Sequence, residues 1–203
     1  MSIEIELKAH VKDREALKSL LFQKAAFLWA FEKEDTYWQQ GSIRGKNGPT
    51  IRLRREKLCL PDGSEKSSCL VTYKTKEIRD GLELNDEKEF EVGSKTGQAE
   101  PVFEDFLLSL GFERGISKRK QGWAFSHEGI NAELCEVKNL GWLIELEIML
   151  ESGTDLREAA YAESRERLLN FLDSLEIERS AIESRFYSEL LKGLNDSKKM
   201  LRL

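Results

Sequence analysis

Residues 3–9 run Ile3-Glu4-Ile5-Glu6-Leu7-Lys8-Ala9, a regular alternation of apolar and charged side chains. A period of two is the pleat of a β-strand, so Ile3, Ile5 and Leu7 share one face and Glu4, Glu6 and Lys8 the other. The pattern recurs along the chain. Thr50-Ile-Arg-Leu-Arg-Arg-Glu sets Arg52 and Arg54 together, and Cys69 to Lys76 does the same for Thr72, Lys74 and Lys76. Glu87 to Val92 aligns Glu87, Glu89 and Glu91, while Lys118 and Lys120 form one pair and Glu145 and Glu147 another. Several opposite faces are apolar: Ile51/Leu53, Phe90/Val92 and Ile144/Leu146/Ile148. In an open sheet such charges would face bulk water. Here, however, the polar faces are almost entirely Glu, Lys and Arg, with little Thr, Ser, Gln or Asn. The other architecture is a closed barrel with the charges inside and helices outside, stable only if the charges are paired, hydrated or ligand-bound.

Asp13 stands as an N-cap before a helix over Arg14 to Phe27, whose apolar stripe is Ala16, Leu17, Leu20, Leu21 and Phe27. A strand is expected over Phe31 to Trp38 and a Gly-rich loop over Gly41 to Pro49. Pro61-Asp62-Gly63-Ser64 and Asp80-Gly81 are turn signals. Pro101 to Leu110 is helical, with Phe103, Phe106, Leu107 and Leu110 on one stripe and Gly111 as its stop. Strands follow over Gly115 to Lys120, over Trp123 with Ile130 to Val137, and over Trp142 to Leu150. Asp155 to Leu191 is helical, broken around Leu175 to Arg179, and Asn195 to Leu203 is expected to fray. Hairpin-linked strands imply an antiparallel sheet, so the expected class is α+β: an eight-stranded antiparallel β-barrel with helices packed outside, as one domain over residues 1–192 and a tail over 193–203.

The 203 residues carry 32 Lys+Arg and 37 Asp+Glu, a net charge of 32 − 37 = −5, with 40% hydrophobic residues. That composition excludes a disordered chain and argues against a duplex-binding module, so no nucleic-acid partner is expected. The opening residues lack a basic and apolar leader, and no stretch has the length of a membrane span; a cytoplasmic protein without a membrane partner is expected. Cys59, Cys69 and Cys135 have no metal spacing. Cys59 and Cys69 flank a hairpin and could face each other, but all three are expected to be reduced packing residues. His10 and His127 are too few for a His-rich metal site and are expected at the surface. Gly41 to Asn47 resembles a P-loop but is one residue short and ends in Asn47, so it is set aside. Trp29, Trp38, Trp123 and Trp142 are taken as packing residues.

The residue types narrow the ligand. Lys8, Arg52, Arg54, Lys74, Lys118 and Lys120 offer donors that match phosphate oxygens. Glu4, Glu6, Glu89, Glu91, Glu145 and Glu147 would repel a phosphate, unless a hard cation such as Mg2+ or Mn2+ bridges the two. A basic half and an acidic half in one chamber describe a metal–polyphosphate site.

The ordered series of motifs resembles the CYTH superfamily, the triphosphate tunnel metalloenzymes. Glu4-Ile-Glu6-Leu-Lys8 is similar to its ExExK element and Asp35-Thr-Tyr37 to its DxY element. Arg52-Leu-Arg54, Thr72-Tyr-Lys74, Glu89-Phe-Glu91 and Lys118-Arg-Lys120 resemble its charged strands. Leu140-Gly-Trp-Leu-Ile-Glu145-Leu-Glu147 and Tyr187-Ser-Glu-Leu-Leu191 resemble its final strand and closing helix. The resemblance implies a tunnel around a triphosphate-containing small molecule with Mg2+ or Mn2+. Arg52, Arg54, Lys74, Lys118 and Lys120 would bind phosphate. Glu4, Glu6, Glu145 and Glu147, with Glu89 or Glu91, would lie on the metal side. Lys8 would sit near the phosphate and assist water activation, which makes Lys8 and Glu6 the catalytic candidates. Cys135 stands where the family has an aspartate, with Glu133 two residues away on the same face as its substitute, and Lys120 replaces an arginine. An HF element that some cyclases carry ahead of ExExK is absent. The expected activity is triphosphate hydrolysis, on inorganic, thiamine or nucleoside triphosphate. Class IV adenylyl cyclase chemistry and non-catalytic polyphosphate binding are the alternatives. The C-terminal helices can pack on the barrel or on a second copy, which leaves a homodimer open.

Overall fold

The computed structural model describes residues 2–40, 50–93, 99–150 and 158–200. The Gly41 to Pro49 loop with its P-loop-like run, the start of the last helical region at 155–157 and the final residues 201–203 lie outside the described residues. The strands are β1 (Ser2–His10), β2 (Ala26–Gln40), β3 (Thr50–Cys59), β4 (Glu65–Arg79), β5 (Leu82–Glu91), β6 (Phe112–His127), β7 (Ile130–Val137) and β8 (Gly141–Leu150). The helices are α1 (Arg14–Lys24), α2 (Ala99–Ser109), α3 (Glu158–Ser174) and α4 (Tyr187–Met200), with a single 3-10 turn at Arg179–Ala181. The strands close into one barrel in the order β1-β5-β4-β3-β2-β6-β7-β8, every neighbour antiparallel.

Outward side chains supply the core. Ile5, Leu7, Leu82, Leu84, Ile144, Leu146 and Ile148 are buried beneath α1 and α3, against Leu17, Leu21, Leu168 and Leu172. Each such aliphatic side chain contributes about 1.5–3 kcal/mol on burial. A smaller cluster joins Leu107 of α2 to Trp38, Leu53 and Val71. A third cluster lies on the inward face: Tyr187 and Leu190 of α4 pack on Phe31, Cys135, Val137 and Leu143, which share strand faces with Lys33, Glu133 and Glu145, so α4 seats on this barrel. The apolar stripe of α2 is only partly used: Leu107 is 2% exposed but Phe106 is 54% exposed. Gly122 is required by packing, since a Cβ there would stand 2.1 Å from the Leu134 carbonyl across the β6–β7 ladder.

Several expectations need correction. The Asp13 cap is present, its carboxylate accepting from the Glu15 and Ala16 amides. The helix it starts stops at Lys24, however, and Phe27 already belongs to β2, where it packs on Phe125. Residues 115–120 and Trp123 belong to one long strand, β6, because β2 pairs with it along almost its full length. β5 begins at Leu82, five residues before the strand expected from Glu87. Cys59 and Cys69 do not face each other: Cys59 pairs with Glu65 and Cys69 with Arg55. Cys59 is exposed, so it is not a packing residue. α4 continues to Met200, into the segment expected to fray.

Candidate active site in the charged tunnel

The inward side chains enclose a cavity of about 230 Å3. One wall is basic. Lys33 and Tyr37 come from β2, Arg52 and Arg54 from β3, Lys74 and Lys76 from β4, and Lys118 and Lys120 from β6. Because inward positions alternate, neighbouring strands bring these groups side by side; Asp35 lies opposite both Arg54 and Lys118 in the ladders. Asp35 is fully buried and holds the Arg54 guanidinium in a two-pronged bond, Nε to Oδ1 at 2.7 Å and a terminal nitrogen to Oδ2 at 2.9 Å. The Lys118 ammonium is 3.2 Å from the same Oδ2. Burial alone would raise the Asp35 pKa, but Arg54 and Lys118 overcome it and hold the carboxyl well below its ordinary value. Arg52 donates to the Thr72 hydroxyl at 2.9 Å, and that hydroxyl donates to Glu89 at 2.7 Å.

The opposite wall is acidic. Glu4 and Glu6 of β1 and Glu147 of β8 line the cavity, with Glu6 and Glu147 directly paired across the ladder. Burial pushes Glu6 up to about 7 and Glu147 up to about 8, reinforced by neighbouring carboxylates. Burial also raises Glu4, against the pull of Lys74 3.2 Å away. Among the described residues neither Glu6 nor Glu147 forms an ion pair or hydrogen bond. No three carboxylates there already converge on one point. The donor chemistry nevertheless suits a hard cation: carboxylate oxygens held near one another, of which, among the described residues, only those of Glu4 meet a lysine.

Other acids are already committed. Lys120 donates to Glu133 at 2.7 Å and to Glu145 at 2.5 Å, and Lys33 donates to Glu133 at 2.5 Å. The Tyr187 hydroxyl donates to Glu145 at 2.5 Å and the Cys135 thiol sits 3.6 Å from the same oxygen. Against the cost of burial, Lys120 keeps Glu145 down at about 2. Burial pushes the Cys135 thiol well above its ordinary value.

The structure therefore gathers Glu4, Glu6, Arg52, Arg54, Lys74, Lys118, Lys120, Glu133, Glu145 and Glu147 around one cavity. Lys8 shares the inward face of β1 with Glu4 and Glu6: it is 2% exposed, is bound to the cavity-lining Glu83, and lies 5.4 Å from the centre of the Tyr187 ring. Glu89 lies at the rim on the basic side, bonded to Arg52 and Thr72. Glu91 does not belong to the tunnel. It is exposed on a broader cleft of about 1200 Å3, because it is the last residue of β5, beyond the closed part of the barrel. The sequence reading assigned no site role to Lys33, Asp35, Lys76, Glu83 or Tyr187. Lys76 and Asp35 lay on strands already aligned, and extending the β5 alternation back to Leu82 would have found Glu83.

A closed antiparallel barrel lined by opposed charges and jacketed by helices is a CYTH-like, triphosphate-tunnel architecture. The chain shares its fold with solved structures over nearly its whole length. No family model matches it. A curated relative from Methanocaldococcus jannaschii, provisionally named an adenylate cyclase, is 28% identical over 196 residues, covering 95% of this chain and 99% of its own. A Pyrococcus horikoshii structure superposes with a TM-score of 0.77 at 25% identity, covering 94% of this chain and 98% of that one. A Hippeastrum protein provisionally named an adenylyl cyclase, and described as having a dominant triphosphatase activity, superposes with a TM-score of 0.63 at 18% identity over 94% of each chain. Among the described residues no helix is long and apolar enough to cross a membrane.

Proposed function

We propose that the tunnel binds a triphosphate compound together with Mg2+ or Mn2+ and hydrolyses it. The observation that supports this most is a basic wall facing an acidic wall across one cavity, in which Glu6 and Glu147 have no ion pair among the described residues. Phosphoryl transfer needs mainly positioning and charge neutralisation, and this arrangement supplies both. Arg52 and Arg54 present guanidinium groups whose orientation is fixed by Thr72 and Asp35. Lys74, Lys118 and Lys120 add point charges along the same wall. Glu4, Glu6 and Glu147 would hold the cation, which when bound would neutralise phosphate charge and orient the attacking oxygen. Glu133 and Glu145 hold Lys120 in place. Lys8, tied to Glu83, adds charge on the β1 face that carries Glu4 and Glu6.

The cleft of about 1200 Å3 supports a second reading. Lys33 and Lys120 line both the tunnel and this cleft, so an organic group attached to the triphosphate has room outside the barrel. Adenylyl cyclase chemistry on ATP would use the same charges, and the provisional name of the Methanocaldococcus jannaschii relative points that way, whereas the Hippeastrum protein is described as chiefly a triphosphatase. The deciding experiment incubates the protein with tripolyphosphate, thiamine triphosphate or ATP, with Mg2+ or Mn2+, and identifies the products. Orthophosphate release supports hydrolysis. Cyclic AMP with pyrophosphate replaces it with cyclisation. Tight binding without turnover under either metal reduces the tunnel to a binding module. Loss of tripolyphosphate affinity in Arg52→Ala/Arg54→Ala is expected in every case, and an unchanged affinity would reject the tunnel as the site.

A further inference from the structure

The charges in the tunnel are not evenly balanced. Lys33, Arg52, Arg54, Lys74, Lys118 and Lys120 each lie within ion-pair distance of a carboxylate. Lys76 lines the same cavity, yet no ion pair to it is found among the described residues. Its charged surroundings are Lys74, Lys118, the Tyr37 phenol and Glu83, and Glu83 is already engaged by Lys8. Its ammonium lies 5.2 Å from the centre of the Phe186 ring, and Lys118 lies 4.4 Å from the centre of the adjacent Tyr187 ring. The two lysines therefore sit together under the start of α4. Arg54 and Lys118 share the single Asp35 carboxylate, leaving one positive charge over, and Lys76 adds a second. Partly buried positive charge without a counter-ion is costly, and an anion supplied from solution removes that cost.

The position along the tunnel also carries information. Tyr37 and Lys33 are on the same face of β2 four residues apart, about 13 Å in an extended strand. Lys76 and Lys118 lie against the Phe186 and Tyr187 rings at the start of α4, and both act electrostatically on the Tyr37 phenol. Two ammonium groups and a phenol are donors suited to phosphoryl oxygens. We propose that Lys76, with Lys118 and Tyr37, forms an anion subsite at the α4 end of the tunnel that receives one terminal phosphoryl group of the triphosphate. This rests on the triphosphate reading of the tunnel and adds a binding residue to it.

The test uses the full chain and tripolyphosphate in calorimetric titrations, with melting curves of the ligand-free protein. Lys76→Met keeps the stem under Phe186 and removes the charge. Its affinity for tripolyphosphate should fall about tenfold or more, while its ligand-free melting temperature stays level or rises because like charges no longer crowd. Lys76→Arg should recover most of the affinity. Unchanged affinity in Lys76→Met, with wild-type protein binding normally, overturns the subsite and leaves the tunnel reading intact. Weaker binding accompanied by a lower melting temperature assigns Lys76 a structural role and also overturns it. Failure of the wild-type protein to bind tripolyphosphate overturns both.

Discussion

Replacing Glu147 by Gln should stabilise the ligand-free protein, and only at the higher end of the pH range. Glu147 lies across the β1–β8 ladder from Glu6, and burial together with Glu4 and Glu6 raises its pKa from 4.5 to about 8. A carboxyl that binds its proton more tightly in the folded state costs stability as pH rises from its unfolded pKa to its folded one. A shift from 4.5 to about 8 sets an upper bound of roughly 4–5 kcal/mol. Glu6 and Glu147 titrate together, so removing one acid relieves only part of that, about 2 kcal/mol. For a chain of this size this corresponds to a rise in melting temperature of about 4–8 °C near pH 8, with little change near pH 5, where both forms are uncharged at this position. Scanning calorimetry across that range measures the effect directly. Added Mg2+ should stabilise the wild-type protein most near pH 8 and stabilise Glu147→Gln much less. A variant that is less stable than wild type near pH 8, or changed equally at both pH values, would refute the view that these acids are held apart from any counter-ion.

The remaining predictions concern other groups. Asp35→Asn removes the charge that Arg54 and Lys118 share and should cost about 3–5 kcal/mol in urea unfolding; a loss below about 1 kcal/mol would show that Asp35 does not anchor the basic wall. Asp35 and Glu145 have lowered pKa values, so their contribution is complete above the ordinary carboxylate range and is lost as pH falls toward about 2. With Glu6 and Glu147 acting in the opposite sense, ligand-free stability should peak at mildly acidic pH, and a peak above pH 8 would contradict that balance. Native alkylation should label Cys59 rapidly and leave Cys135 untouched, since Cys59 is exposed whereas Cys135 is buried with a strongly raised pKa; rapid native labelling of Cys135, read by peptide mass spectrometry, would disprove its burial.

The alternation in β1, β3, β4 and β8 was legible because each places at least two like charges at spacing two, between aliphatic residues in β1, β3 and β8 and beside Tyr73 and Thr75 in β4. It fixed which side chains share a face but not which face is inside, because an open sheet satisfies the same pattern. Nor does it give the ring order: β1 lies between β5 and β8, and β2 between β3 and β6, through contacts distant in sequence. Tertiary pairing also set the lengths. The helix expected to run to Phe27 stops at Lys24, because the ladder to β6 holds Ala26 and Phe27 as strand. The site was legible where charges repeat and obscured where a strand was taken too short, as with Glu83, or where one residue acts on its neighbours, as Asp35 does on Arg54 and Lys118. Glu91 follows the alternation but falls past the end of the closed wall, which spacing alone does not reveal.

The ring is sealed by the ladder between β1 and β8, which joins Ile3 to Leu150 and His10 to Leu143. The earliest strand must therefore wait for the latest before the chamber exists. Until that seam forms, an incomplete curved sheet keeps its Glu, Lys and Arg side chains in water while its aliphatic back packs on α1. The electrostatic cost of removing those charges from solvent therefore falls on ring closure, the step that also buries Ile144, Leu146 and Ile148 against β1. Folding of this chain should be slow, as sequence-distant pairing requires, yet its partly assembled forms expose charge rather than grease.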